Sequence, residues 1–98
     1  MQDAPPRHDP AADGNIGQLI ARRRRQLGKT QRDLANDLCA KSGRPTLTRH
    51  EISRYERGLR LPASPLLTAI ADTLNLPVAA LRLAAATDRE RRHTDGRQ

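Results

Sequence analysis

Between Thr48 and Gly58, polar and cationic side chains recur with the spacing of one face of a helix. That face carries Arg49, His50, Ser53, Arg54 and Arg57. Ile52 and Tyr55 fall on the opposite side together with Thr48, and we expect these three to face a core. Three guanidinium groups on one face repel one another and add nothing to a core, so the cationic face is either a solvated surface or a binding surface. Arginine can donate two hydrogen bonds to guanine O6 and N7, and arginine or serine can bind phosphate, so such a helix suits the major groove of DNA.

The distribution of charge also favours a polyanionic partner. The chain has a formal net charge of +7, and residues 16–86 hold thirteen Lys and Arg against five Asp and Glu. Residues 1–15 are net acidic, and residues 87–98 add one net positive charge. The excess therefore lies on the segment that is expected to fold, which points to nucleic acid before membrane. An arginine-rich composition inherited from a GC-rich genome is the alternative explanation.

Composition predicts a small all-α domain. The 98 residues suffice for one domain, and Tyr55 is the only aromatic residue. A core must therefore be aliphatic, and the chain offers thirteen Leu and four Ile for it. Leu, Ala, Arg and Gln favour helices, whereas the β-branched and aromatic residues that favour strands are scarce. The shortage of aromatic side chains also disfavours binding of RNA or single-stranded DNA, because unpaired bases stack on aromatic rings.

Several classes of function lack the residues that they need. Cys39 is the only cysteine, which excludes an internal disulfide, and His8, His50 and His93 are too scattered for a zinc site. We expect Cys39 to be a buried structural thiol on the apolar face of a helix. The chain has no glycine-rich phosphate loop and no nucleophile–base pair, so we expect no enzymatic activity, metal, cofactor or small-molecule ligand. No apolar run approaches the roughly 20 residues of a membrane span, and the N-terminus lacks a signal core, which predicts a cytoplasmic protein without membrane contact.

Helical periodicity and the residues that interrupt it divide the chain into three parts. Residues 1–15 contain three Pro and three Asp, and we expect them to form a disordered N-terminal arm. Residues 16–86 show five helical segments and are expected to form the folded domain. Residues 87–98 are polar and are expected to be a flexible tail, the alternative being that the last helix runs partly into them.

The first two predicted helices are bounded by capping residues and breakers. The first helix covers about residues 16–26, where apolar side chains recur at three- and four-residue steps, and Gly28 ends it. The second helix starts at Thr30, a residue type that caps helix N-termini. It stops within residues 41–45, where both Gly and Pro act as breakers.

The remaining three helices have equally local signals. The third opens with Thr48 and has Glu51 three residues later, which is the spacing of a capping box, and Gly58 closes it. The fourth begins with Ser64 as N-cap, followed by Pro at the first helical position. The fifth starts near residue 77. Five short helices with brief connections predict a compact bundle.

Three segments of the chain form a recognisable pattern. They read TQRDLANDL, TRHEISRYERGLRLP and LLTAIADTLNLPVAAL, and the most specific element is ISRYERG. Together they resemble the phage-repressor-like (xenobiotic-response-element) family of helix-turn-helix DNA-binding proteins, over roughly residues 16–81. The resemblance implies a five-helix bundle of the lambda-repressor-like type and a sequence-specific transcriptional regulator that binds double-stranded DNA. Residues 48–57 would form the recognition helix in the major groove.

The same resemblance implies roles for individual residues. Base edges would be read by Arg49, His50 and Arg54, with Ser53 as an auxiliary. The DNA backbone would be held by Thr30, Gln31, Arg57 and Arg60. Gln31 would bond a phosphate from the N-terminus of the second helix, where the backbone amides also point at the anion. Arg24 would pair with Glu56 and tie the first helix to the third, the alternative being two independent surface charges.

The connection between the second and third helices departs from the family's pattern. A turn of about three or four residues is usual, whereas residues 39–47 separate Leu38 from the Thr48 cap in this chain. Either the second helix is longer or the turn is an enlarged loop. Lys41 and Arg44 lie in this insertion, where they would add phosphate contacts or only keep a loop soluble.

Two further surfaces have more than one interpretation. Residues 22–25 are four consecutive arginines that wrap more than one helical turn, so we expect a mostly solvated face with one paired member, a direct role in DNA binding being the alternative. Residues 76–86 carry more apolar side chains than one helical face can bury internally, and Leu83 lies off the main stripe. They are the candidate interface of a homodimer on DNA, unless Leu83 only caps the end of the core.

Two other functions use the same fold. An antitoxin of a toxin–antitoxin pair would bind DNA through the helices and a toxin through a flexible end, and a neighbouring toxin gene would identify it. A protein–protein interaction module is the second alternative. The arginine face argues against it, because protein interfaces usually have an aromatic or aliphatic centre.

Overall fold

The computed structural model describes residues 15–43 and 47–96, with side chains as far as Arg91, and its regular elements are all α-helices. The five helices are α1 (Ile16–Gln26), α2 (Gln31–Ser42), α3 (Arg49–Glu56), α4 (Ser64–Leu74) and α5 (Val78–Gly96). The predicted all-α bundle is thereby confirmed. The expected arm at residues 1–15 lies outside the described residues, apart from Asn15.

The core is aliphatic with one aromatic ring. Each helix contributes a buried stripe, and one fully enclosed side chain from each helix in turn is Ile20, Leu38, Ile52, Ile70 and Leu81. Burial of such a side chain stabilises a fold by about 1.5–3 kcal/mol. Tyr55 lies in the same core, and its hydroxyl donates to Glu51 Oε2 over 2.8 Å. The inner face of α3 is therefore anchored, while its other face is left to solvent.

Gly17 allows the backbone of α1 to approach α3 closely. A Cβ added at residue 17 would overlap the carbonyl oxygens of Tyr55 and Glu56, lying 2.6 Å from the second of them. Both oxygens belong to the backbone of α3, so they cannot turn aside as a flexible side chain would. The short distance between the two helices therefore requires glycine here.

The last helix closes the bundle on α1. Asp88 of α5 is only 7% exposed, and its Oδ2 accepts a hydrogen bond from the backbone amide of Ile16 over 2.9 Å. Its Oδ1 accepts from Arg91 over 2.7 Å. Asp88 thus satisfies an amide that the first turn of α1 leaves without an intrahelical partner. The helix and its tertiary contacts therefore continue past residue 86, as in the alternative in which the last helix runs partly into residues 87–98.

The longer α2 accounts for much of the unusual spacing before α3. It runs to Ser42 and ends at Gly43, whose φ of 73° is left-handed, so six residues (43–48) connect the two helices. Of the two alternatives that the sequence left open, the structure thus shows the longer helix. Cys39 is half-buried rather than fully buried, and its thiol donates to the carbonyl oxygen of Leu47 over 3.2 Å.

Two of the predicted helix caps are wrong. Thr48 precedes α3, but its side chain makes no capping bond and is exposed rather than turned to the core. The reason is that the Glu51 carboxylate, which a capping box would need, accepts from the Tyr55 hydroxyl one turn further along. At the fourth helix the N-cap is Ala63, and Ser64 is the first helical residue.

Candidate nucleic-acid interface

The outward face of α3 presents polar groups side by side. Its members are exposed or half-buried, and they are Arg49, His50, Ser53, Arg54 and Arg57. At about 100° per residue these positions span about 140° of the helix circumference. Ile52 and Tyr55 fill the opposite side and are buried. The structure therefore brings the four residues predicted to read bases onto one surface, which we call the outer face of α3.

A bonded cluster beneath this face joins the first three helices. Arg24 of α1 donates from Nε to Glu56 Oε2 over 2.6 Å and from Nη2 to Oε1 over 3.1 Å. Gln31 of α2 donates from Nε2 to Glu56 Oε1 over 3.0 Å. The Arg24 and Glu56 side chains are only 11% and 6% exposed. The remaining Nη1 of Arg24 donates to the carbonyl oxygen of Lys29 over 2.8 Å, so the cluster fixes α3 against both α1 and α2.

Thr30 caps α2 through a capping box with Asp33. The sequence had predicted such a box at α3 instead. Its Oγ1 accepts from the backbone amide of Asp33 over 2.9 Å, and the Asp33 carboxylate accepts from the backbone amide of Thr30 over 2.9 Å. The bond from the Thr30 amide is the main reason that the pKa of Asp33 is lowered from its ordinary value of 3.8, followed by a hydrogen bond from the Thr30 side chain to the same carboxylate.

Cationic and polar side chains surround this end of α2. A cleft that we call the α2 cleft is lined by Arg24, Gly28, Lys29, Thr30, Gln31, Arg32 and Arg49. Amides of the first helical turn and the helix dipole favour an anion at such a position. Lys29 contributes less, because its Nζ lies 2.7 Å from Asp37 Oδ2, a contact that raises the pKa of Lys29. Arg32 was not among the predicted phosphate contacts, although its position in the first turn of a predicted helix could have indicated such a contact.

A second cleft, which we call the α1–α3 cleft, runs between those helices. It lies over the Arg24–Glu56 pair and is lined at its rim by Gln18, Arg22, Arg25, Ser53 and Arg57. Its three rim arginines are exposed. Arg23 instead turns to α4, where its Nε donates to the carbonyl oxygen of Leu74 over 2.9 Å. Of the four arginines at residues 22–25, both Arg23 and Arg24 are therefore bonded to other helices, whereas only one paired arginine was expected.

The remaining predicted phosphate contacts lie elsewhere. Arg60 is exposed in the segment after α3. Lys41 sits near the end of α2, with its Nζ 2.9 Å from Asp72 Oδ2 of α4. It lines a groove between α2 and α4 that shares no residue with the two clefts, so the structure does not bring Lys41 together with the other predicted contacts. Arg44 lies outside the described residues.

The described part of the chain contains no group of three or more His, Cys, Asp or Glu side chains that could hold a metal ion. Among the same residues, no helix combines the length and the apolar character that crossing a membrane requires.

Comparison with known proteins identifies one related family. A family model described as a helix-turn-helix domain matches residues 15–84. This stretch covers α1 to α4 and the first part of α5, so it includes the outer face of α3 and both clefts. No curated protein and no solved structure matches the chain.

Proposed function

The chain belongs to the helix-turn-helix domain family, and we propose that it is a sequence-specific transcriptional regulator that binds double-stranded DNA with α3 in the major groove. The outer face of α3 is the observation that carries this proposal: Arg49, His50 and Arg54 are exposed there, while Ile52 and Tyr55 anchor the other side of the same helix. A major groove about 12 Å wide accepts an α-helix. Side chains on an anchored helix reach base edges from fixed positions, which sequence recognition requires.

The two clefts beside α3 suit backbone phosphates. The α2 cleft combines the first amides of a twelve-residue helix with Arg32, and the α1–α3 cleft contributes Arg22, Arg25 and Arg57. Gln31 donates one amide hydrogen to Glu56 and has a second to donate to a phosphate. Contacts of this kind set affinity and register without reading sequence. We therefore propose that Arg22 and Arg25, the two exposed members of the four arginines at residues 22–25, contact DNA directly.

Within the family, the segment ISRYERG and the Thr–Gln pair that opens α2 favour the phage-repressor-like class of regulators. The proposed mechanism is binding alone, with no covalent step. Arg24 and Glu56 act as positioning residues, because their pair sets α3 against α1.

On DNA, the proposal includes a symmetric homodimer that reads two half-sites about 34 Å apart. Most apolar side chains within residues 76–86 are buried or half-buried inside the protomer, so the free apolar surface is smaller than expected from the sequence. The exposed apolar side chains of α5 in this segment are Ala79, Ala80, Leu83 and Ala86, of which Ala79, Leu83 and Ala86 share one helix face at i, i+4 and i+7. Leu83 is 70% exposed between the two small side chains, which allow another helix to approach closely.

Light scattering of the protein on a bound duplex tests the dimer. Two protomers per duplex are expected, and Leu83→Glu should give one protomer at the same protein concentration. Asn36→Glu places the same charge at an exposed position of α2 and should leave two. A single protomer bound by the unchanged chain would contradict the dimer and leave the DNA-binding proposal standing.

Selection of bound duplexes from a random-sequence pool tests the proposed function itself. The full chain should enrich one motif. The double variant Arg49→Ala with Arg54→Ala should lose that motif, while Arg82→Ala with Arg89→Ala removes the same charge from α5 and should retain it. The proposal fails if the unchanged chain enriches no sequence, or if both double variants lose the motif equally.

A further inference from the structure

The arginines on the outer face of α3 can only donate hydrogen bonds to a base edge. Arg49 and Arg54 are both exposed, and a guanidinium group has five N–H donors and no acceptor. In the major groove, guanine presents two neighbouring acceptors, N7 and O6. Adenine presents one acceptor beside a donor, and thymine presents O4 beside a methyl group. Guanine is thus the base that satisfies two donors of one guanidinium group at once.

Side chains that read the other bases are either missing from α3 or committed elsewhere. Adenine is matched by Asn or Gln, and the sequence of α3, RHEISRYE, contains neither. Cytosine N4 is matched by a carboxylate. However, Glu51 is half-buried and accepts from Tyr55, while the Glu56 side chain is only 6% exposed and accepts from Arg24 and Gln31. The major-groove side of α3 therefore offers no carboxylate.

The spacing of the two arginines gives a pattern on DNA. They are five residues apart, or about 7.5 Å along the helix axis at 1.5 Å per residue, which corresponds to about two steps of the base-pair stack. We infer that each half-site contains two guanines about two base pairs apart, read by Arg49 and Arg54. His50 and Ser53 lie between them and can donate or accept. This inference rests on the proposed function and names the class of sequence that the same surface recognises.

Replacement of either guanine by adenine would place the N6 amino group, a donor, opposite the guanidinium donors. One hydrogen bond would be lost and two donors would face each other. The expected loss of affinity is about 5- to 150-fold at each position. Positions outside the two guanines should tolerate substitution better.

The test uses the full chain and the duplex selected from the random pool. Each guanine is replaced in turn by 7-deazaguanine, which keeps Watson–Crick pairing and O6 but removes the N7 acceptor. Affinity is measured by fluorescence anisotropy at one salt concentration. Two replacements about two base pairs apart should weaken binding by about tenfold or more, since each removes a bond to a charged donor. The other replacements should have little effect.

Alanine variants assign each guanine to its arginine. Arg54→Ala removes all donors of one guanidinium group, so it should become insensitive to one of the two replacements and stay sensitive to the other. Arg49→Ala should show the converse, and Arg82→Ala on α5 should remain sensitive to both. Thermal melts establish that each variant is folded.

The outcomes distinguish the two levels of the proposal. Selected duplexes without the guanine pair, or 7-deazaguanine replacements without effect at any position, would overturn guanine reading and leave DNA binding intact. A failure to enrich any duplex would overturn the proposed function and guanine reading together.

Discussion

Removal of the Glu56 carboxylate should destabilise the fold strongly, although the residue lies beside a surface proposed for binding. In Glu56→Ala, the Arg24 guanidinium loses both bonds to the carboxylate and keeps its bond to the Lys29 carbonyl. Gln31 loses its acceptor at the same time. Because the Arg24 side chain is only 11% exposed, water cannot fully replace the lost partner. Breaking a buried pair by removing one member costs about 3–5 kcal/mol.

This loss is large compared with the whole stability of the domain. A chain of 98 residues is expected to have a free energy of unfolding of about 5–15 kcal/mol. The midpoint of thermal unfolding of Glu56→Ala should therefore fall by about 10 °C or more. In the double variant Arg24→Ala with Glu56→Ala no charge is left unpaired. Its loss should be smaller than the sum of the two single losses, by about 0.5–3 kcal/mol.

Urea unfolding followed by far-UV circular dichroism measures the four free energies of this cycle. Asp37→Ala is the matched control, because it breaks the Lys29–Asp37 pair, whose side chains are 30% and 39% exposed. Its effect should be much smaller, since water and salt screen an exposed pair. Additive losses for Arg24→Ala and Glu56→Ala would refute the conclusion that the pair ties α1 to α3.

Three further predictions concern binding, acid sensitivity and the end of the fold. Arg54→Ala should cost about 1–3 kcal/mol on the selected duplex and relax one base preference, whereas Arg57→Ala should weaken all duplexes alike; anisotropy titrations with selected and shuffled duplexes compare them, and equal effects would contradict the distinction. The bond from the Thr30 amide lowers the folded-state pKa of Asp33, so its contribution to stability is complete above the ordinary value of 3.8 and is lost as the pH falls below it. Urea titrations at several acidic pH values should show a shallower acid loss for Asp33→Asn, and an unchanged pH profile would contradict this. Asp88→Ala leaves the first amide of α1 without its acceptor and should cost about 1–3 kcal/mol in thermal melts; no change in the melting temperature would contradict the bond.

Local patterns predicted most of the fold. The bounds of α1 agree with the sequence, because both its apolar spacing and the glycine that follows it are local signals. Capping shows where local patterns stop being sufficient. A threonine followed three residues later by an acid occurs at Thr30–Asp33 and at Thr48–Glu51. Only the first forms a capping box, since the Tyr55 hydroxyl engages the second carboxylate.

The periodicity of the sequence could not predict contacts between distant parts of the chain. Asp88 lies 72 residues from the Ile16 amide that it caps. The polar residues around it therefore predicted a flexible tail rather than a packed helix. Gly17 lies in a helix rather than in a turn, so no local pattern indicates why glycine is needed there. The reason is the close approach of the α3 backbone. The charge of Lys41 made it a candidate for a phosphate contact, with a soluble loop as the alternative, but its partner Asp72 comes from α4. The outer face of α3 was predictable because a single helix generates it.

The measurement that most directly tests base reading by α3 is a comparison of two duplexes over a range of salt concentrations. One is the selected duplex and the other is a shuffled duplex of the same composition. Both affinities should fall with salt, with a log–log slope of about −0.9 for each phosphate neutralised by the clefts. At physiological salt the selected duplex should bind at least about 1,000-fold more tightly. Equal affinities for the two duplexes, with little dependence on salt, would contradict both the reading of bases by α3 and the binding of phosphates by the clefts.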